Sequence, residues 1–231
     1  MAAAPAARPP LDVLNFWFGD GAWGTEEMSS GKMNMELWWG MNPATWQPLT
    51  AEEQAAQDAS CKQFAELVRV AGKGELDEDP AWSGTAEGLY AQLLLCDQLA
   101  RNCFRGTGEA FAYDERAMAL ARRIVTDPAL FAQCQMENHF AFLTTPTQHS
   151  EKPADHALAA TVVATAEATL GADNGTVQEL KKSVEGHKVI VDRFGRYPHR
   201  NAALGRESTP AEKEWLADTA NMPAWAKSQM K

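Results

Sequence analysis

This chain of 231 residues is most informative first in what it lacks. It has only four cysteines, Cys61, Cys96, Cys103 and Cys134, and none forms a C-x-x-C pair of the kind that grips a metal. All four fall in segments of helical pattern and read as free buried thiols, the state kept in a reducing compartment. Long apolar runs are absent as well: each is broken by Asp, Gln or Arg well short of the roughly 20 residues a membrane span needs. No apolar h-region marks the start. Residues 1–10 are rich in Ala and Pro with one arginine, and read as a disordered leader rather than a signal peptide. These absences together predict a cytoplasmic protein with no membrane partner. A net charge of −10 argues against a nucleic-acid surface. G-x-S-x-G elbows, dinucleotide and P-loop fingerprints and H-E-x-x-H spacing are all missing, so no cofactor or metal is indicated. Stretches of strict apolar–polar alternation are missing too, which excludes an extensive sheet.

What is present is an ordinary globular composition, 45% apolar and 23% charged, in a chain long enough for a substantial core. Leu11 to Phe18 reads as a first helix ending at Gly19, followed by a long Gly-, Met- and Trp-rich connection to Leu49. Trp38 and Trp39 are expected to close over the core there. Helix starts beyond it are legible. Thr50-Ala-Glu-Glu53, Thr176-Val-Gln-Glu179 and Thr209-Pro-Ala-Glu212 are capping-box patterns, and Asp127-Pro128 opens another helix. Phe64, Leu67, Val68 and Ala71 form one apolar stripe; Leu180, Val184, His187, Val191 and Phe194 form a second. Further helices are predicted over Thr85–Asn102, roughly Glu109–Val125 and about Ser150–Leu170. Short connections favour antiparallel hairpins. The prediction is an all-α fold: helical hairpins in a tetratricopeptide-like right-handed array, one compact domain over 11–222, with a tail over 223–231.

The charge is unevenly placed. Residues 1–92 hold 14 acids and 5 bases, a balance of −9, whereas 93–231 hold 17 and 16, a balance of −1. Six of the eleven arginines lie in two short stretches. In Asp97-Gln-Leu-Ala-Arg-Asn-Cys-Phe-Arg-Gly106, Asp97 and Arg101 are i, i+4 neighbours, as are Gln98 and Asn102. Arg105 reads either as a helix-end cation or as part of a site. Asp97 follows Leu93-Leu94-Leu95 and so needs a buried partner. In Thr144-Thr-Pro-Thr-Gln-His-Ser-Glu151 the proline is expected to end one helix and Ser150 to cap the next. That places His149 beside a helix N-terminus, as a neutral proton-transfer group or as a brace for the loop. The stretch from His187 to Arg206 is the densest. His187 itself sits on the apolar stripe and reads as core. Arg196, His199, Arg200 and Asn201 exceed what a short loop needs, and guanidinium forks match carboxylate and phosphate oxygens.

The segments LNFWFG, LLLCDQLARNCFRGTGEAFAYD, HSE and RFGRYPHRNAALGRESTPAE, in this order along nearly the whole chain, resemble the domain-of-unknown-function 924 family. The resemblance implies an all-helical, tetratricopeptide-like fold and no settled activity. The chain departs from the family pattern at Leu99-Ala100, where a Phe-Pro pair is usual, and at Gln148, where a carboxylate is usual.

Three functions compete. The first is a pocket for a small anion, carboxylate or phosphate, in an enzyme or receptor. Arg101, Asn102, Arg105, Arg196, Arg200 and Asn201 would bind the ligand, His149 or His199 would exchange a proton, and Asp97 and Glu151 would orient them. The second is a scaffold whose groove takes an acidic peptide terminus. The third is a structural ion-pair network among Asp97, Asp192, Arg193 and Arg196. The first requires that the three motifs meet at one cavity. Oligomeric state is not legible in the sequence.

Overall fold

The computed structural model describes residues 8–28 and 34–228. Its helices are α1 (Pro10–Phe18), α2 (Met35–Trp39), α3 (Ala51–Cys61), α4 (Ala65–Gly72), α5 (Pro80–Ser83), α6 (Ala86–Leu94), α7 (Ala100–Cys103), α8 (Asp114–Thr126), α9 (Pro128–Phe131), α10 (Glu137–His149), α11 (Pro153–Leu170), α12 (Gly175–Phe194), α13 (Pro210–Ala217) and α14 (Ala224–Ser228). A π turn, Leu95–Leu99, joins α6 to α7. Among the described residues there is no strand, only one isolated bridge between Met41 and Pro48. The fold is all-helical, as the periodicity predicts. No described helix is long and apolar enough to cross a membrane.

The helix α6 and its π continuation run through the middle of the core. Every residue from Gly88 to Cys103 is buried. Val13, Leu14 and Trp17 of α1 pack on α6, with α4, α5 and α8 around it. Consecutive helices α10, α11 and α12 lie side by side beyond α8. Trp17, Phe18, Trp38 and Phe142 form an aromatic cluster, fixed where Trp38 Nε1 donates to the Trp17 carbonyl at 2.9 Å. Trp38 thus closes over the core as expected; Trp39 stays 42% exposed.

The capping boxes at Thr50 and Thr209 form, and Asp127 caps α9. Four expectations need correction. The cap of α12 is Asn174, not Thr176: its Oδ1 accepts from the amides of Thr176 and Val177, and asparagine caps at least as well as threonine. The helix expected from Glu109 starts as α8 at Asp114, after a 3₁₀ turn over Gly108–Phe111. Cys134 lies in the connection between α9 and α10 rather than in a helix, although all four thiols are free and buried. Pro146 does not end α10, which continues to His149. The proline deprives the Phe142 carbonyl of its helical amide, and the Thr145 hydroxyl replaces it at 3.0 Å.

At the chain ends, residues 1–7 of the expected leader lie outside the described residues, and Pro10 is buried as the first residue of α1. The expected tail carries α14, whose Ala226 is fully buried.

Where α5 crosses α6 the two backbones touch. A Cβ on Gly88 would lie 2.2 Å from the Ala81 carbonyl oxygen and 2.5 Å from that of Trp82. Gly88→Ala is therefore expected to destabilise the fold by about 3 kcal/mol, since backbone cannot step aside as a flexible side chain can. The urea midpoint measures it, and a midpoint equal to that of the wild type would contradict so tight a crossing.

Candidate functional site

The π turn determines where Asp97 points. With one residue more than an α turn, it carries the Asp97 carboxylate into the core, fully buried, against α10. There the carboxylate accepts from His149 Nδ1 at 2.7 Å and from the Gln98 side-chain amide, and faces the Arg101 guanidinium at 3.8 Å. Burial alone would raise its pKa. The Arg101 charge and the hydrogen bond from His149 hold it well below the ordinary carboxylate range. An ionised Asp97 only accepts, so His149 carries its proton on Nδ1 and presents Nε2 away from the carboxylate. Burial and the nearby Arg101 charge lower the His149 pKa; Asp97 opposes them without winning. The helix N-terminus expected to do this is absent. His149 closes the C-terminal end of α10, and Ser150 is that helix's C-cap.

Asp114, at the start of α8, is a second, half-buried anchor. Arg101 lies 3.0 Å from its Oδ1 and Arg200 2.8 Å from its Oδ2. The Arg200 guanidinium is sandwiched between the rings of Phe111 and Tyr197, each 4.7 Å away. Arg105 forms a bidentate pair with Asp58 of α3, at 2.6 and 3.0 Å.

These groups surround one cavity of about 100 Å³, several times what a single water requires. Gln98, Arg101, Asn102 and Arg105 come to it from the first motif, Thr145 and His149 from the second, His199 and Arg200 from the third. His187 and Trp225 complete that wall, the indole stacked on the imidazole at 3.9 Å. Trp38, Trp39 and Phe111 supply aromatic surface. The three motifs therefore meet. The lining also has a pronounced polarity: among the described residues, three arginines and three histidines line the cavity and no Asp or Glu does. Asp97, Asp114 and Asp58 all stand behind the bases they pair with. Burial drives the His187 pKa down to about 3, and that of His199 well below its usual value. Two buried atoms of the site, His199 Nδ1 and Arg200 Nε, have no hydrogen-bond partner among the described residues.

Three predicted site residues stand elsewhere. Arg196 grips Glu212 at 2.6 and 2.8 Å, and Asn201 bonds Ser208 and Arg206, so both fasten the loop after α12 onto α13. Glu151 holds Arg206 at 2.7 and 3.0 Å, accepts from the Tyr197 amide, and lines a separate, more open cleft beside His149 and Arg200. Their role is to shape the loop, not to line the cavity. The proposed network of Asp192 and Arg193 is not assembled: Asp192 pairs with Lys188 on the surface, and Arg193 lies over the Phe194 ring. Sequence reasoning missed Asp114, His187 and Trp225 as site residues. His187 is as buried as its apolar stripe predicts, but the cavity opens within that core. Asp114 carried no signal beyond its place in a helix start. The described residues contain no cluster of three or more His, Cys, Asp or Glu arranged for a metal ion.

The model of a family described as bacterial proteins of unknown function, domain of unknown function 924, matches residues 13–220. The chain belongs to this family. A solved structure of a protein of unknown function from Agrobacterium tumefaciens is similar to it, with 28% identity and a TM-score of 0.60 over 90% of this chain and 96% of that one. No curated protein matches. Both the family and this neighbour are described as of unknown function.

Proposed function

We propose that the cavity binds a small molecule through its carboxylate or phosphate group, and that His149, oriented by Asp97, exchanges a proton with it. One observation carries this reading: the lining concentrates Arg101, Arg105 and Arg200 with three histidines and holds every nearby carboxylate behind them. A purely structural network has no need to turn one face of its arginines toward a cavity. Arginine forks recognise oxyanions, and a neutral imidazole with a carboxylate behind it is the usual form of a general base. The site is small, which favours a free metabolite or the end group of a chain over an extended peptide groove.

Inorganic phosphate and acetate are the first probes. Each bound anion should raise the melting temperature with concentration, by mass action on the folded state. Arg200→Ala is expected to weaken that binding at least about tenfold, equivalent to about 1.4 kcal/mol. Asp114 keeps Arg101 as its partner in this variant, so the fold should persist. If neither anion shifts the wild-type melting curve while Arg200→Ala lowers it, the arginines act as a structural network instead.

A further inference from the structure

The cavity holds acceptors among its donors, and that mixture narrows the ligand. His149 Nδ1 donates to the ionised Asp97, and His187 Nδ1 donates to the Ser183 carbonyl at 2.8 Å. Each neutral ring is thereby fixed in the tautomer whose Nε2 bears a lone pair. No described residue hydrogen-bonds to either Nε2, and both rings line the cavity with their centroids 6.2 Å apart. Both rings resist protonation in this buried setting. A bare carboxylate would satisfy the guanidinium groups and leave two lone pairs facing negative charge. A ligand with an O–H beside its carboxylate would satisfy the guanidinium groups and one of these two lone pairs.

We propose that the site takes a small hydroxycarboxylate, its carboxylate on the Arg101–Arg105–Arg200 face and its hydroxyl donating to an imidazole Nε2. This rests on the anion reading above. A phosphate ester fits less well, because its last acidic proton is largely gone at neutral pH, whereas an alcohol keeps its O–H throughout. The volume of about 100 Å³ suits a molecule of this kind with a short carbon skeleton, and Trp38, Trp39, Phe111 and Trp225 offer that skeleton apolar contact.

Calorimetric titration of the whole protein with glycolate, acetate and methoxyacetate tests the hydroxyl directly. The three share the carboxylate; acetate lacks the oxygen, and methoxyacetate carries a methyl group in place of its proton. Glycolate is expected to bind at least about tenfold more tightly than either, because an unmet buried acceptor is costly. In His187→Leu, which keeps the Asp97–His149 pair, the preference should shrink while acetate affinity holds. Should that variant not fold, the glycolate–methoxyacetate ratio in the wild type decides alone. Equal binding of all three acids would overturn the hydroxyl assignment, and inorganic phosphate binding more tightly than glycolate would overturn the hydroxycarboxylate; either result leaves the anion site standing. Failure of every carboxylate and of phosphate to bind would overturn both.

Discussion

Replacing Asp97 by alanine is expected to destabilise the protein by about 3–5 kcal/mol, the range seen when one member of a buried ion pair is removed. The substitution strands three donors at once: His149 Nδ1, the Gln98 amide and one side of the Arg101 guanidinium. Asp97→Asn keeps the shape and one acceptor oxygen but turns an N–H₂ toward groups that also donate. A loss of about 1–3 kcal/mol is expected there. It is also the variant that separates orientation from mere packing. The Asp97 charge works to raise the pKa of His149 against burial and Arg101, so its loss should move the His149 titration, followed by NMR, to still lower pH. An upward shift in Asp97→Asn would show that the carboxylate does not govern this ring. Urea midpoints of the two variants supply the stability differences.

Acid should be the second large effect. Burial pushes His187 down to about 3 and His139 to about 4, from an ordinary 6.5. His139 is fully buried beside Trp23 and Tyr90, and its Nδ1 accepts from the Met136 amide. Above pH 6.5 both rings are neutral whether the chain is folded or not, and they contribute no pH dependence. Below it the unfolded chain takes up protons that the folded one refuses, so stability falls as pH drops from about 6.5 toward 3. The depressed carboxyls of Asp97 and Glu151 lose their stabilisation as pH falls through their folded values, which has the same sign. The combined loss by pH 4 is on the order of several kcal/mol. Urea titrations at pH 7.5, 5.5 and 4.5 should show a steadily falling midpoint, with a shallower fall in His187→Gln. A midpoint flat across that range would mean the rings are not held neutral in the fold.

Much of the scaffold was legible because its signals are local. The Thr50 and Thr209 boxes and the Asp127–Pro128 start depend on contacts within one turn, and they form where the pattern places them. Pro146 departs from the pattern for a reason equally local but less common: a threonine hydroxyl one residue earlier replaces the missing amide. The site was legible as a set of motifs and not as a set of contacts. Arg101, Arg200 and His149 meet, whereas Arg196 and Asn201, close by in sequence, turn to Glu212 and Ser208. Nothing within the loop distinguishes these two uses of a polar side chain. The difference is made by α8, which brings Asp114 to Arg200 from 86 positions away, and by α14, which brings Trp225 onto His187.

The π turn over Leu95–Leu99 has an implication for how such a site arises. Arithmetically it is a helix with one residue inserted, and each residue of an α-helix turns the chain by about 100°. Everything beyond it, including Arg101, Asn102 and Arg105, is rotated by that amount relative to an uninterrupted helix. Deleting a single residue there would restore regular hydrogen bonding in the most protected part of the molecule and swing the guanidinium groups away from His149. A straight central helix and this cavity are alternatives that one codon separates. The irregular form is the one that aims the arginines.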